Sequence, residues 1–136
     1  MTEVLIPDGV KSIDGCAFAG CVGLTAMSIP KSVTYIGSGA FAGCSGLVSM
    51  ALPFVGAWRG NSGSEDALFG FIFGSSKWPG TTETLQYGDN PSGDRFAAKY
   101  YIPSSLKSVV ITDETLVDYG AFCNCVGLTS VAMADG

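Results

Sequence analysis

Apolar residues alternate with small residues in a short segment that recurs along the first half of the chain. In its second copy, Met27 and Ile29 alternate with Ala26 and Ser28, which is the two-residue period of a strand with one buried face. Proline follows, and because it cannot donate to a ladder, it ends the predicted strand. The Ile-Pro or Leu-Pro ending recurs at 6–7, 29–30 and 52–53, so the predicted strands are spaced 23 residues apart.

A second pattern lies between these strands and has the same spacing. The phrase AFAGC occupies 17–21 and 40–44, and a variant, AFCNC, occupies 121–125. Ile13, Phe18, Cys21 and Leu24 are each followed 23 residues later by the same residue type. We interpret the phrase as the return side of each repeat, where phenylalanine fills the core and glycine permits a short helical or 3₁₀ turn.

The second half of the chain keeps this pattern after an interruption. The segments SLKSVVI at 105–111 and GLTSVAM at 127–133 align with GLTAMSI at 23–29 and GLVSMAL at 46–52. Leu47 and Leu106 are separated by 59 positions where one period would give 23, so about 36 residues are inserted. We predict a single domain over 1–136, with repeats at about 1–23, 24–46, 47–53, 105–127 and 128–136 and a loop-rich insertion at about 54–104.

The stretch IPKSVTYIGSGAFAGCSGLVSMALP, from Ile29 to Pro53, resembles the BspA-type leucine-rich repeat almost throughout. The insertion shares the likeness at 52–56, 68–76 and 101–112, whereas 78–99 is least similar. The resemblance implies a leucine-rich-repeat solenoid, a right-handed coil of about five rungs with mostly short parallel strands. It also implies a surface protein of host-associated anaerobic bacteria that acts in adhesion or in binding host proteins, with no ligand site shared by the family.

Composition narrows the possible functions. The net charge of −5 and the pI near 4.4 argue against nucleic-acid binding, which usually uses a basic face. No run of about 18 apolar residues predicts a membrane span, and Met1-Thr-Glu does not begin a signal peptide. We expect an extracellular or cell-surface location in a longer parent protein. Histidine is absent, which removes the commonest general base and zinc ligand.

Aromatic residues concentrate in the insertion. Ten of the 15 lie between Phe54 and Tyr101. Phe69, Phe71 and Phe73 alternate as in a strand that extends the core beneath the insertion. The residues we expect in an exposed aromatic binding platform are Trp58, Trp78, Tyr87 and Tyr100, because tryptophan and tyrosine supply large contact areas.

The other reactive side chains predict no catalytic, cofactor-binding or metal-binding residues. Cys21 and Cys44 should lie on adjacent rungs with parallel Cβ vectors, which favours buried thiols over a disulfide. Cys123 and Cys125 are too close together for an unstrained disulfide. The acidic pairs at 65–66 and 113–114 are interpreted as solvated loop charges, and 88–95 only weakly resembles a calcium loop.

Three functional hypotheses remain open. The first is a non-enzymatic surface module that binds a protein or glycan of a host or neighbouring cell. The second is a structural spacer that displays another domain, and the third is an enzyme with its site in the insertion. The strand face that carries Ser28 and Ser49 is either a flat solvated surface or one that a partner approaches closely. Uncapped end rungs also predict self-association.

Overall fold

The computed structural model describes residues 3–58, 67–89, 92–113, 122, 125 and 127–133. The acidic residues Glu65, Asp66 and Glu114, together with Cys123 and Asn90, lie outside these residues. Nine strands and one 3₁₀ helix follow one another in this part of the chain. They are β1 (Glu3–Leu5), β2 (Ser12–Ile13), β3 (Ala26–Ser28), β4 (Tyr35–Ile36), β5 (Ser49–Leu52), the 3₁₀ helix (Phe69–Phe73), β6 (Thr81–Asp89), β7 (Arg95–Pro103), β8 (Ser108–Ile111) and β9 (Ser130–Met133).

The predicted strand segments form one parallel sheet in the order β1-β3-β5-β8-β9. Ser49 of β5 pairs with Ala26 on one side and with Ser108 on the other, as the sequence alignment predicts. Met27, Met50 and Val109 form a buried column on the inner face. The sheet therefore joins strands on both sides of the insertion, and the chain has a repeat fold of short parallel strands.

The core continues between the strands because equivalent apolar residues stack from one repeat to the next. Leu24, Leu47 and Leu106 are each 1% exposed or less. The rings of Phe18 and Phe41 stack face to face, with centroids 5.4 Å apart and 1° between their planes. The N–H of Phe18 donates to the carbonyl oxygen of Ala40 at 2.7 Å, which keeps the two copies of AFAGC in register. The predicted stacking of these two phenylalanines is confirmed.

The insertion begins by completing the third repeat. The N–H of Phe41 donates to the carbonyl oxygen of Ile72 at 2.8 Å, so the 3₁₀ helix lies on the return segment of the second repeat. The predicted strand through Phe69, Phe71 and Phe73 is wrong. Phe69, Ile72 and Phe73 are buried, while Phe71 is only partly buried. A helical turn can place Phe69, Ile72 and Phe73 on one side of the segment. A strand would direct the consecutive residues Ile72 and Phe73 to opposite faces.

Later in the insertion two long strands pair as a hairpin, and the prediction of a loop-rich segment is wrong over these strands. Strands β6 and β7 pair antiparallel over nine residues each, from Thr81 opposite Pro103 to Asp89 opposite Arg95. The inner face carries Thr84, Gln86 and Tyr100, all 5% exposed or less. Gln86 is fully buried, and its Oε1 accepts from the N–H of Gly70 at 2.7 Å while its Nε2 donates to Cys125 Sγ at 3.3 Å. The amide thereby joins the hairpin to the 3₁₀ helix and to the return side of a later repeat.

Candidate functional site: an exposed aromatic pair

A second, shorter ladder on the return side of the repeats positions the aromatic pair. Strands β2 and β4 pair parallel, with Ser12 opposite Tyr35 and Ile13 opposite Ile36. The N–H of Ile36 donates to the carbonyl oxygen of Ala57 at 2.9 Å, which continues the contact into the third repeat. Ile13, Ile36 and Ala57 are buried, so the residues that alternate with them point outward.

The outward positions form a column across three repeats. Ser12, Tyr35 and Trp58 follow one another at intervals of 23 residues, so they occupy equivalent positions. The rings of Tyr35 and Trp58 are stacked, with centroids 6.3 Å apart and 23° between their planes. Tyr35 is 40% exposed and Trp58 is 43% exposed. We call these two residues the aromatic pair, and they form an apolar surface that water still reaches.

The chemistry of this surface suits binding better than catalysis. Stacking holds each ring in one orientation, so little side-chain entropy remains to be lost when a partner binds. Aromatic rings with few rotatable bonds are the side chains that most often dominate binding energy at interfaces. Ser12, the third member of the column, is exposed and adds a hydroxyl beside the rings. The column thus offers an apolar face and a hydrogen-bonding group side by side.

The four residues expected in an exposed platform lie in different environments. Trp58 is exposed, as predicted, but its ring partner is Tyr35. Trp78 is half-buried, and its indole lies against the backbone of Gly20 and Gly43 of the AFAGC phrases. Tyr87 is half-buried in β6.

Tyr100 is the clear exception, because it is only 5% exposed. Its ring packs on Gly70 of the 3₁₀ helix, where the missing glycine side chain leaves room for it. The prediction of an exposed Tyr100 is therefore wrong. Its neighbour Tyr101 points outward instead, and its hydroxyl donates to Glu83 Oε1 at 3.0 Å. Consecutive residues of a strand point to opposite faces, so one of the two tyrosines is directed inward. Composition does not reveal which face of the strand is buried.

Tyr35 was missed by the sequence analysis, although a signal for it was present. Trp58 lies 23 residues after Tyr35, which is the same offset that aligns the core residues. Applying the repeat spacing to the outward positions as well as the apolar ones would have paired the two rings. The period therefore predicts surface neighbours as well as core neighbours.

Cys21 and Cys44 occupy equivalent positions in consecutive repeats, and the second of them is closed to solvent. Cys44 is 0% exposed, and its Sγ donates to the carbonyl oxygen of Phe18 at 3.2 Å. Burial raises the pKa of the Cys44 thiol to about 11. Cys21 is half-buried, Cys16 is exposed, and the four cysteines that the structure describes are thiols. A neutral buried thiol of this kind is a poor nucleophile.

A cavity of about 240 Å³ lies between the hairpin and the later repeats. Its described lining combines Ile102, Leu106 and Leu128 with Thr84 and Cys125. Thr84 donates its hydroxyl to the carbonyl oxygen of Thr82 at 2.9 Å. No carboxylate is among the described lining residues, so the cavity does not favour general acid–base chemistry. Asp113, the one described member of the predicted acidic pairs, is an exposed residue after β8.

The parallel ladders, the stacked core residues and the 23-residue register together define a leucine-rich-repeat protein. Residues 1–55 match the family model described as the BspA type Leucine rich repeat region (6 copies). Within this region the chain is thus similar to the BspA-type leucine-rich repeat. The resemblance seen in the sequence is confirmed.

The chain is also similar to a solved structure, a leucine rich cell surface protein from Faecalibacterium prausnitzii A2-165. The two share 21% sequence identity, with a TM-score of 0.46. The match covers 100% of this chain and 33% of the other, so the chain spans about a third of the length of that protein. No curated protein matches the chain. Within the described residues, no helix combines the length and apolar character that a membrane crossing requires.

Proposed function

We propose that this chain is a non-enzymatic binding module of a cell-surface protein, and that the aromatic pair is its contact site. The partner is a protein or glycan on a host cell or neighbouring cell. The repeats form a right-handed solenoid of about five rungs that serves as a rigid support. The match of residues 1–55 to the BspA-type leucine-rich repeat supports this role for the fold.

The exposure of the aromatic pair is the observation that carries the proposal. Two large rings, stacked and each about two-fifths exposed, lie side by side on an otherwise polar return ladder. A monomeric protein gains stability by burying such rings, so their exposure calls for another role. Trp78 and Tyr87 are half-buried and are proposed only as secondary contacts, and Tyr100 is left out of the contact site.

The test measures binding of the purified chain to whole cells. The chain is coupled to fluorescent beads, and the beads are incubated with cultured epithelial cells and with bacterial cells. We expect the double variant Tyr35→Ala, Trp58→Ala to bind at least about tenfold more weakly, because truncating an aromatic hot spot costs about 2 kcal/mol or more.

The matched control is Val48→Ala, which removes apolar surface from a residue that is 44% exposed on another part of the repeat. Val48→Ala should bind as the unmodified chain does. Equal binding by all three proteins would reject the aromatic pair as the contact site. It would favour the structural spacer instead. Self-association through the edge strands β1 and β9 stays a prediction, and sedimentation of the same proteins would test it.

A further inference from the structure

The column of Ser12, Tyr35 and Trp58 has no aromatic ring in the first repeat, which leaves an open space beside Tyr35. We call this space the gap. Because the ladder runs from Ser12 through Tyr35 towards Trp58, Ser12 and Trp58 lie on opposite sides of Tyr35. Trp58 covers one face of the Tyr35 ring. The opposite face lies on the side of Ser12, whose side chain is too short to cover it.

In the interior of the same repeats, by contrast, an aromatic ring is present at the equivalent position of both repeats. Phe18 and Phe41 occupy consecutive repeats and stack face to face at 5.4 Å. In the outer column the first repeat carries serine where the next two carry Tyr35 and Trp58. The space above Ser12 is therefore bounded by an aromatic face, by a hydroxyl below and by solvent outside.

The Ser12 hydroxyl is available to a ligand. Ser12 is exposed, and no described residue forms a hydrogen bond with its hydroxyl. The neighbouring Thr34 is also exposed, and its Oγ1 donates to the carbonyl oxygen of Lys11 at 3.1 Å, which leaves the oxygen lone pairs free to accept. The described groups beside Tyr35 on this side of the ladder thus include two uncharged hydroxyls, and the exposed residue Lys11 lies next to them.

We infer that this gap is a subsite for one neutral pyranose ring, formed by Tyr35, Ser12 and Thr34. The inference rests on the proposed function and deepens it by naming a glycan as the partner. A pyranose has an apolar C–H face, which the electron-rich face of Tyr35 attracts, and hydroxyls along its edge that bond Ser12 and Thr34. A phenylalanine side chain of a protein partner would cover the same hydroxyls without bonding them, which costs free energy. A tyrosine side chain would offer one hydroxyl where a pyranose offers several.

The experiment is saturation-transfer NMR on the 14.0 kDa chain, with methyl β-D-glucopyranoside and methyl β-D-galactopyranoside as probes. We expect saturation transfer to the sugar ring protons and shifts of the Tyr35 ring resonances, with an affinity of about 1 mM or weaker for so small a ligand. Ser12→Leu fills the gap with a side chain that has neither a hydroxyl nor an aromatic face and should reduce the transfer at least about tenfold.

The matched control is Ser28→Leu, the same substitution at an exposed position of β3, which should leave the transfer unchanged. A third probe, p-cresol, represents the tyrosine side chain of a protein partner. Binding of p-cresol without binding of either sugar would overturn the inference. Equal sugar signals from Ser12→Leu and the unmodified chain would overturn it as well.

Failure of this inference differs from failure of the proposed function. If cells bind through the aromatic pair but neither sugar affects Tyr35, only the pyranose subsite is rejected. If the double variant Tyr35→Ala, Trp58→Ala binds cells like the unmodified chain, the contact site is rejected whatever the sugars do.

Discussion

The Cys44 thiol lies in the interior, between the return segments of the first two repeats, and it donates to the carbonyl oxygen of Phe18. Its equivalent in the first repeat, Cys21, is only half-buried. The two residues belong to identical phrases, so the difference comes from what lies on each side of them. The 3₁₀ helix covers the second phrase through the bond from Phe41 to Ile72. The segments packed on each side of a cysteine, and not its residue type, therefore determine how deeply its thiol is buried.

The raised pKa of Cys44 predicts a loss of stability in alkaline solution. Above about pH 9 the unfolded chain releases this thiol proton, whereas the folded chain retains it until about pH 11. The contribution is therefore intact below pH 9 and is lost as the pH rises towards 11. At about pH 10.5 the loss should be about 2 kcal/mol relative to about pH 8.

Urea unfolding followed by circular dichroism at both pH values measures this effect. Cys44→Ala should lower the free energy of unfolding at both, but with a smaller difference between them than the unmodified chain shows. Cys16→Ala, at an exposed position, is the control and should keep the full difference. The same difference in all three proteins would show that Cys44 is not the group responsible.

At the scale of elements, one buried amide connects the hairpin to the 3₁₀ helix and to a later repeat. Gln86 of β6 reaches the backbone of the 3₁₀ helix at Gly70 and the thiol of Cys125. Both elements therefore depend on a side chain that the alternation of the hairpin directs inward. A hairpin alone is marginally stable in water, so this anchor and the packing of Tyr100 on Gly70 hold it in place.

Replacing this amide should destabilise the protein although the new side chain is apolar. Gln86→Leu leaves the buried N–H of Gly70 without its acceptor, which should lower the free energy of unfolding by about 1 to 3 kcal/mol. The opposite change on the outer face, Leu85→Gln, should stay within about 0.5 kcal/mol because Leu85 is exposed. Urea unfolding of both variants checks the prediction, and equal effects would contradict the role given to Gln86.

At the scale of the whole molecule, the insertion is part of the core and not an appendage. Phe54, Phe69 and Phe73 are fully buried and belong to the same cluster as Phe41 and Leu47. Losing one such ring typically costs about 3 to 5 kcal/mol, against a total stability of about 5 to 15 kcal/mol. Removing all three with the insertion would exceed what a domain of this size can lose.

Two deletions separate the essential and dispensable parts of the insertion. Removing 54–104 should abolish cooperative unfolding. Replacing 89–95 by Asn-Gly should change the free energy of unfolding by only about 1 kcal/mol. Gly88 and Phe96 already face each other across the hairpin, and Asn-Gly is a preferred sequence for a two-residue hairpin loop. Thermal unfolding followed by circular dichroism distinguishes these outcomes. A folded protein without 54–104 would show that the insertion is not needed for the core.

Much of the repeat was predictable from the sequence, because a strict spacing determines which residues face one another. The pairing of Ser49 with Ala26 and Ser108, and the stacking of Phe18 on Phe41, follow from matching offsets. The insertion has no internal period, so its sequence gave no comparable constraint. The 3₁₀ helix and the hairpin with its two nine-residue strands were missed for that reason.

By itself, then, the sequence determined the register of the parallel sheet, since equal spacing brings equivalent residues together whatever lies between them. Tertiary structure alone decided that Tyr100 is buried on Gly70 and that Phe69–Phe73 completes the third repeat. Both depend on packing between segments with no common spacing. The repeat spacing pairs Tyr35 with Trp58, but only the tertiary structure shows that the ladder continues as far as Ala57 and keeps the two rings stacked on the outside.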